Sequence, residues 1–342
     1  MARPVPAAPP LAAADWLRRR WLHLLGAWAR PLMTRRDVRV SVMFAAMICT
    51  ATIATLVAPL WLLILGPLVW GVPHLVSDLR YLVVRPGYHR RPEIWLLAGG
   101  PLVWTALGGN LVWGFVGAAA AALAARAPLA RRLAVMAALA GFALIFLGLG
   151  HVGDVFFAHA HNFIAVGLWW AWRPRSGRLH WIPLALLVAA SLFLVSPAAL
   201  AIVTAIGGLN WFGGDMGPEY QLWRLSPDIE PDLGLRLVLL FCFAQSIHYA
   251  VWLQLLPDDD RARVTPPTFR ASYEDLCRDM TRPGVWVAGL LALFIAAWAV
   301  HDLMNACHGY FRMARFHGHL EVIAVALLVL EGRVHARPAA PV

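Results

Sequence analysis

The stretch LWLLILGPLVWGVPHLVSDLRYLVV, residues 60–84, decides how this chain is read. A helix needs about 20 apolar residues to cross a hydrocarbon layer, and this run is long enough. Yet it carries His74 and Asp78 one helical turn apart. Burying an ionisable group in hydrocarbon costs several kcal/mol, so such groups face a bundle interior and mark a pathway or site. The run is therefore a membrane span with something polar to hold.

Working outward from residue 60, about ten apolar runs approach spanning length: 40–58, 60–84, 94–108, 110–126, 132–149, 153–172, 181–206, 234–256, 284–303 and 313–331. The fold expected is an all-α, polytopic membrane helix bundle of about ten spans. The third and fourth runs are short and Gly-rich, so eight spans plus a re-entrant pair is the variant of that reading. Arg35, Arg36 and Arg39, then Arg80 to Arg91, Arg126 to Arg132, Arg173 to Arg178, Arg261 to Arg270, and Arg333 and Arg337 fall in alternate loops. Under the positive-inside rule those loops, and both termini, are cytoplasmic. The longest intervening loop is acidic, through Asp215, Glu219, Asp228, Glu230 and Asp232, and should face outside.

Composition agrees with a membrane protein: 60% of the 342 residues are hydrophobic and only 14% charged, against about 25% charged in soluble domains. A net charge of +10 might invite nucleic acid, but the Arg residues flank apolar runs, as topology signals beside anionic lipid do. Nucleic acid is thus not an expected partner; membrane lipid is. The absence of Lys and the abundance of Ala, Gly, Pro and Leu hint at a GC-rich bacterium. The expected location is the bacterial inner (cytoplasmic) membrane. Residues 1–39 read as a disordered Pro/Ala-rich tail, through residue 13, and a basic amphipathic interfacial helix with Leu17, Trp21, Leu24, Leu25 and Trp28 on one stripe. Residues 40–331 form the transmembrane domain, and 332–342 a cytoplasmic tail.

Cys49, Cys242, Cys277 and Cys307 make no CxxC pair, so neither a disulfide framework nor a thiolate zinc site is signalled. Histidine and carboxylate are the available ligands. His74 lies one turn from Asp78, and His317 one turn from Glu321. A ligating imidazole commonly hands its other N–H to a carboxylate, which is one use for these pairs; the other is direct ligation by both residues. In HAHN, His159 and His161 point to opposite sides of a helix, as do His317 and His319 in FHGHLE. All four are candidates, and about half are expected to ligate. His248 is the ionisable residue near the middle of its run, with Gln245, Ser246 and Tyr249 beside it. Helical rise puts His74 and His248 near mid-membrane and His161 and His319 in the outer half. The metals consistent with such ligands are non-haem Fe, Zn and Cu, or haem with two axial histidines.

The segment GVPHLVSD, residues 71–78, resembles the GxPHxxxD signature of the Brp/Blh family of membrane β-carotene dioxygenases. That resemblance implies a helical bundle whose histidines hold non-haem Fe(II), with His74 a ligand supported by Asp78, and a reaction in which O2 splits a carotenoid to give retinal. FCFAQSIHY, residues 241–249, is similar to a later family stretch, with Gln245 where a first histidine is expected; Leu75 replaces a small residue. The function expected is an iron-dependent membrane oxygenase acting on a carotenoid or similar apolar substrate. The substrate would enter from the bilayer past Trp61, Trp70, Phe156, Phe157, Trp169 and Trp170. The competing readings are a di-iron lipid hydroxylase or desaturase, and a transporter in which His and Asp relay protons.

Overall fold

In the computed structural model, which describes residues 9–332 apart from 176 and 211–214, every regular element is helical. The chain opens with α1 (Pro9–Leu25). The tail expected to be disordered through residue 13 is thus helical from Pro9, because proline suits a first turn and the following Leu-Ala-Ala-Ala has high helix propensity. Trp16, Leu17, Trp21 and Leu24 stay exposed, as befits a helix lying in an interface. The other side of α1 is anchored. The Asp15 carboxylate accepts hydrogen bonds from the backbone N–H groups of Phe269 (2.7 Å) and Arg270 (3.4 Å). Residues 1–8 and 333–342 lie outside the described residues, so of the expected tail only Gly332 is seen, as a left-handed helix cap at φ 76°.

Next come α2 (Arg36–Val57) and α3 (Pro59–Val84), separated by a break at Ala58, after which Pro59 starts the new helix. Pro67 and Pro73 sit inside α3, and its last six residues widen into a π-helix. The two Gly-rich runs become α4 (residues 92–106) and α5 (Val112–Ala124). These are about 22 and 20 Å long, short of the roughly 30 Å hydrocarbon thickness. Then follow α6 (Leu129–Leu149), α7 (His151–Trp172), α8 (Arg178–Val195), α9 (Pro197–Ala205) and α10 (Pro218–Leu225). Gly150 alone joins α6 to α7 at φ 54° and ψ −128°, a backbone conformation costly for any residue with a Cβ. The chain ends with α11 (Pro231–Asp259), α12 (Phe269–Met280), α13 (Arg282–His301) and α14 (Leu303–Glu331), the last interrupted by a turn at Arg315 and Phe316.

Among the described residues, seven helices, α2, α3, α6, α8, α11, α13 and α14, are long and apolar enough to cross a membrane. Helix α7 has the length, at 22 residues, but His151, His159, His161, Asp154 and Asn162 lower its hydropathy. The most buried of the seven are α3, α11 and α14, whereas α6 and α13 present most of their surface outward. The helices that bear His74, His248 and His317 are therefore the interior ones. Beside them pack Phe44, Trp169, Trp172, Phe243 and Trp252, all nearly inaccessible.

One end of the bundle is stitched by ion pairs between the arginine-rich segments and carboxylates. Arg39 grips Asp258 with two parallel bonds of 2.7 and 2.8 Å. Arg175 meets Asp259 at 2.6 Å, Arg80 meets Asp279 at 2.7 Å, and Arg85 pairs with both Asp260 and Asp279. Arg39, Arg80, Arg85 and Arg175, from three of the segments read from charge as lying on one side, thus meet carboxylates of residues 258–279; Arg333 and Arg337 lie outside the described residues.

Candidate metal centre

Four helices each supply one imidazole to a single cluster: His74 from α3, His161 from α7, His248 from α11 and His317 from α14. Adjacent ring centroids are 4.9 Å apart for His74 and His317, 5.0 Å for His317 and His161, 5.2 Å for His161 and His248, and 5.3 Å for His248 and His74. His248 and His317 face each other at 5.5 Å. One nitrogen from each of His74, His248 and His317 lies within 4.8 Å of the other two. Nitrogens bound about 2.1 Å from one ion are at most about 4.2 Å apart, so the rings need only lean inward slightly to share a metal.

The hydrogen-bond state of these rings fits that use. The Nδ1 atoms of His161 and His317 lie 3.3 Å from the Phe157 carbonyl and 2.5 Å from the Ala314 carbonyl. With Nδ1–H donating there, each Nε2 is left as a free acceptor lone pair. Neither nitrogen of His74 or His248 has a hydrogen-bond partner, although all are buried. Buried polar groups are nearly always satisfied, so unsatisfied lone pairs converging on one point are a reason to place an ion there.

Carboxylates stand behind two of the rings. Asp78 Oδ2 is 3.9 Å from His74 Nε2, along the same helix as the spacing predicts. Glu321 is also fully buried, but its Oε1 lies 3.7 Å from His248 Nε2, across a helix boundary, and accepts a 2.7 Å bond from the Trp252 indole N–H. The expectation that Glu321 serves His317 thus gives way to a pairing with His248, because the helix turns that face of α14 toward α11. Trp252 was missed, though it sits one turn from His248. Tyr249 proves to be a packing partner, its ring 4.8 Å from that of His74.

The two remaining candidates sit elsewhere. His159 Nε2 is 2.9 Å from the Leu225 carbonyl, and its ring packs on Phe241 at 5.0 Å, so it ties α7 to α10. His319 is buried among aromatics, 4.3 Å from Phe157 and 4.8 Å from Phe115, and lies over Gly114. The helical alternation argument, that one histidine of each pair faces the site, resolves in favour of His161 and His317. Of the expected aromatic entrance, Phe157 lines the cavity described below; Trp169 is fully buried, whereas Trp61, Trp70 and Phe156 are exposed on the outer surface.

Gly71, the glycine of the GVPHLVSD stretch, has a steric role. A Cβ there would lie 2.3 Å from the ring of Tyr310, a residue of α14 that the sequence reading passed over. Tyr310 therefore crosses α3 one turn from His74. Substituting Gly71→Ala should destabilise the protein by about 1–3 kcal/mol through overpacking; an unchanged thermal midpoint in detergent would show that Tyr310 moves freely.

From His161, His248 and His317 a cavity of about 580 Å³ runs between α7, α10, α11 and α14 to a polar mouth at His151, Asp154, Arg312 and Arg315. Phe157, Leu225 and Phe241 are among its apolar walls. Trp169, Trp252 and Leu255 are tightly buried in the same bundle. No family model, no curated protein and no solved structure matches the chain.

Proposed function

We propose that this protein is a membrane-embedded oxygenase in which His74, His161, His248 and His317 hold non-haem Fe(II) and act with O2 on a long apolar substrate of the carotenoid kind. The observation that carries this reading is the convergence of four imidazoles from four helices, with free ring nitrogens, at the inner end of an apolar cavity. The likeness of GVPHLVSD to the Brp/Blh signature supports iron as the metal and O2 as the co-substrate. Bound iron would supply O2 activation at positions left open by the protein ligands.

The chain's own residues have separate tasks in this reading. Asp78 and Glu321 orient His74 and His248 and accept their second N–H when the opposite nitrogen ligates. Trp252 holds Glu321 in place. Phe157, Leu225 and Phe241 keep the cavity apolar, which admits a hydrocarbon chain and excludes bulk water.

The same proposal places the chain in a bacterial inner membrane with eight full spans, α2, α3, α6, α7, α8, α11, α13 and α14, and with α4 and α5 as a re-entrant pair. That even count puts both termini on the side of the arginine-rich end, the cytoplasm. The test is expression in a β-carotene-producing host, with iron measured in the purified protein. Near-stoichiometric iron together with loss of colour and appearance of retinal is the expected result. Protein that carries neither Fe, Zn nor Cu sinks the oxygenase reading.

A further inference from the structure

The cavity holds a charge that the chain does not balance. Arg224, on α10, lines it together with His161, His248 and His317. Its Nε and one terminal nitrogen are buried and have no hydrogen-bond partner. The guanidinium lies 4.7 Å from the centre of the Phe311 ring and 5.8 Å from that of Tyr220. Ring faces offer a cation only part of what water would. No carboxylate forms an ion pair with Arg224 among the described residues.

The neighbouring cations are occupied. Arg312 donates to the Leu107 carbonyl at 2.7 and 3.3 Å, and Arg315 stands 4.0 Å from Asp154, the carboxylate that lines this cavity. Tyr220, next to Arg224, has its hydroxyl 2.5 Å from His308 Nε2. An uncompensated buried guanidinium costs several kcal/mol, and a planar fork of N–H donors fits a carboxylate by two parallel bonds. A pure hydrocarbon such as a carotene offers it nothing.

We infer that the cavity takes a long-chain molecule ending in a carboxylate, and that Arg224 binds that head group while the chain runs along Phe157, Leu225 and Phe241 toward the histidine cluster. Tyr249, whose ring lies 4.8 Å from that of His74, lines the same cavity as Arg224, so head and cluster share one compartment. This deepens the proposed function and rests on the cavity being its substrate site. Among the long-chain molecules of that reading it favours those that carry an anionic end.

The test uses the full chain in phosphatidylcholine nanodiscs and equilibrium dialysis against empty discs, with oleate, oleyl alcohol and oleylamine as probes. Oleate should bind saturably and about tenfold or more tighter than oleyl alcohol, and oleylamine no better than the alcohol. Arg224→Gln should remove the preference for oleate while leaving alcohol binding unchanged, and Arg224→Glu should turn it toward oleylamine. Equal binding of all three probes by the unaltered protein, or a preference for oleate that survives Arg224→Gln, overturns the inference. The unaltered protein's probe ranking decides the matter even if both variants fail to assemble. Iron is measured on the same samples: iron without a head-group preference leaves the oxygenase reading standing and the carboxylate inference lost. Oleate preference without iron does the reverse.

Discussion

Iron content of the His317→Ala variant should fall from near-stoichiometric to background, and the His74→Ala and His248→Ala variants should match it. These three rings offer nitrogens within 4.8 Å of one another, and alanine supplies no donor atom in place of a missing imidazole. His161→Ala should behave alike, since its ring closes the cluster at 5.0 and 5.2 Å from its neighbours. By contrast, His159→Ala and His319→Phe should keep full metal, because one ring bonds a carbonyl and the other is packed among phenylalanines. Asp78→Asn tests the support of His74 and should weaken metal binding by about 10–100-fold without abolishing it. Elemental analysis of purified protein reads all seven. Retention of metal by His74→Ala would reduce GVPHLVSD to a packing motif.

Arg39→Ala should cost about 3–5 kcal/mol of stability, the largest loss expected away from the histidines. Arg39 and Asp258 have side chains only 6% and 7% exposed and make two parallel bonds. Arg39 also donates to the carbonyls of Leu32 (2.8 Å) and Val264 (2.7 Å). Removing it leaves a buried carboxylate and two carbonyls unpaired. Arg39→Lys should recover little, since an ammonium lacks the fork. The Arg39→Leu/Asp258→Leu double variant should recover more than either single change, because no buried charge is then left uncompensated. Arg35→Ala provides the contrast: its pair with Asp37 is 60% and 41% exposed and should matter little. Chemical unfolding in detergent ranks these variants. A similar loss for Arg35→Ala and Arg39→Ala would mean that burial does not set the value of the pairs.

Much of this was readable along the chain because membranes impose simple rules. Hydrocarbon demands long apolar runs, so the helical class and the positions of the interior spans followed from hydropathy. The cost of a buried ionisable group put forward His74, His159, His161, His248, His317, His319, Asp78 and Glu321 without any contact information. The alternation of arginine between loops anticipated that Arg39, Arg80, Arg85 and Arg175 would gather at one end. Helix α7 was legible as the apolar run 153–172, although its histidines, Asp154 and Asn162 lower its hydropathy. The helical start at Pro9 was missed, since proline and alanine together resemble a disordered tail until their position at a helix start is weighed.

What one dimension could not supply was rotation about each helix axis. A helix of known length can turn any face inward, and that angle is set by neighbouring side chains: Tyr310 lying across Gly71, His319 over Gly114, Phe157 against Gly318. Rotation chose His161 over His159 and His317 over His319, and it swung Glu321 from its own helix partner to His248 and Trp252. Arg224 is the sharpest case. Along the chain it is one more charge in an acidic loop; only folding α10 back over the bundle buries its guanidinium beside the histidines. The sequence by itself determined that this protein is a helical membrane bundle with buried imidazoles and carboxylates. The tertiary structure decided which of them meet, because side-chain packing, and not hydropathy, sets the angle at which each helix faces the centre.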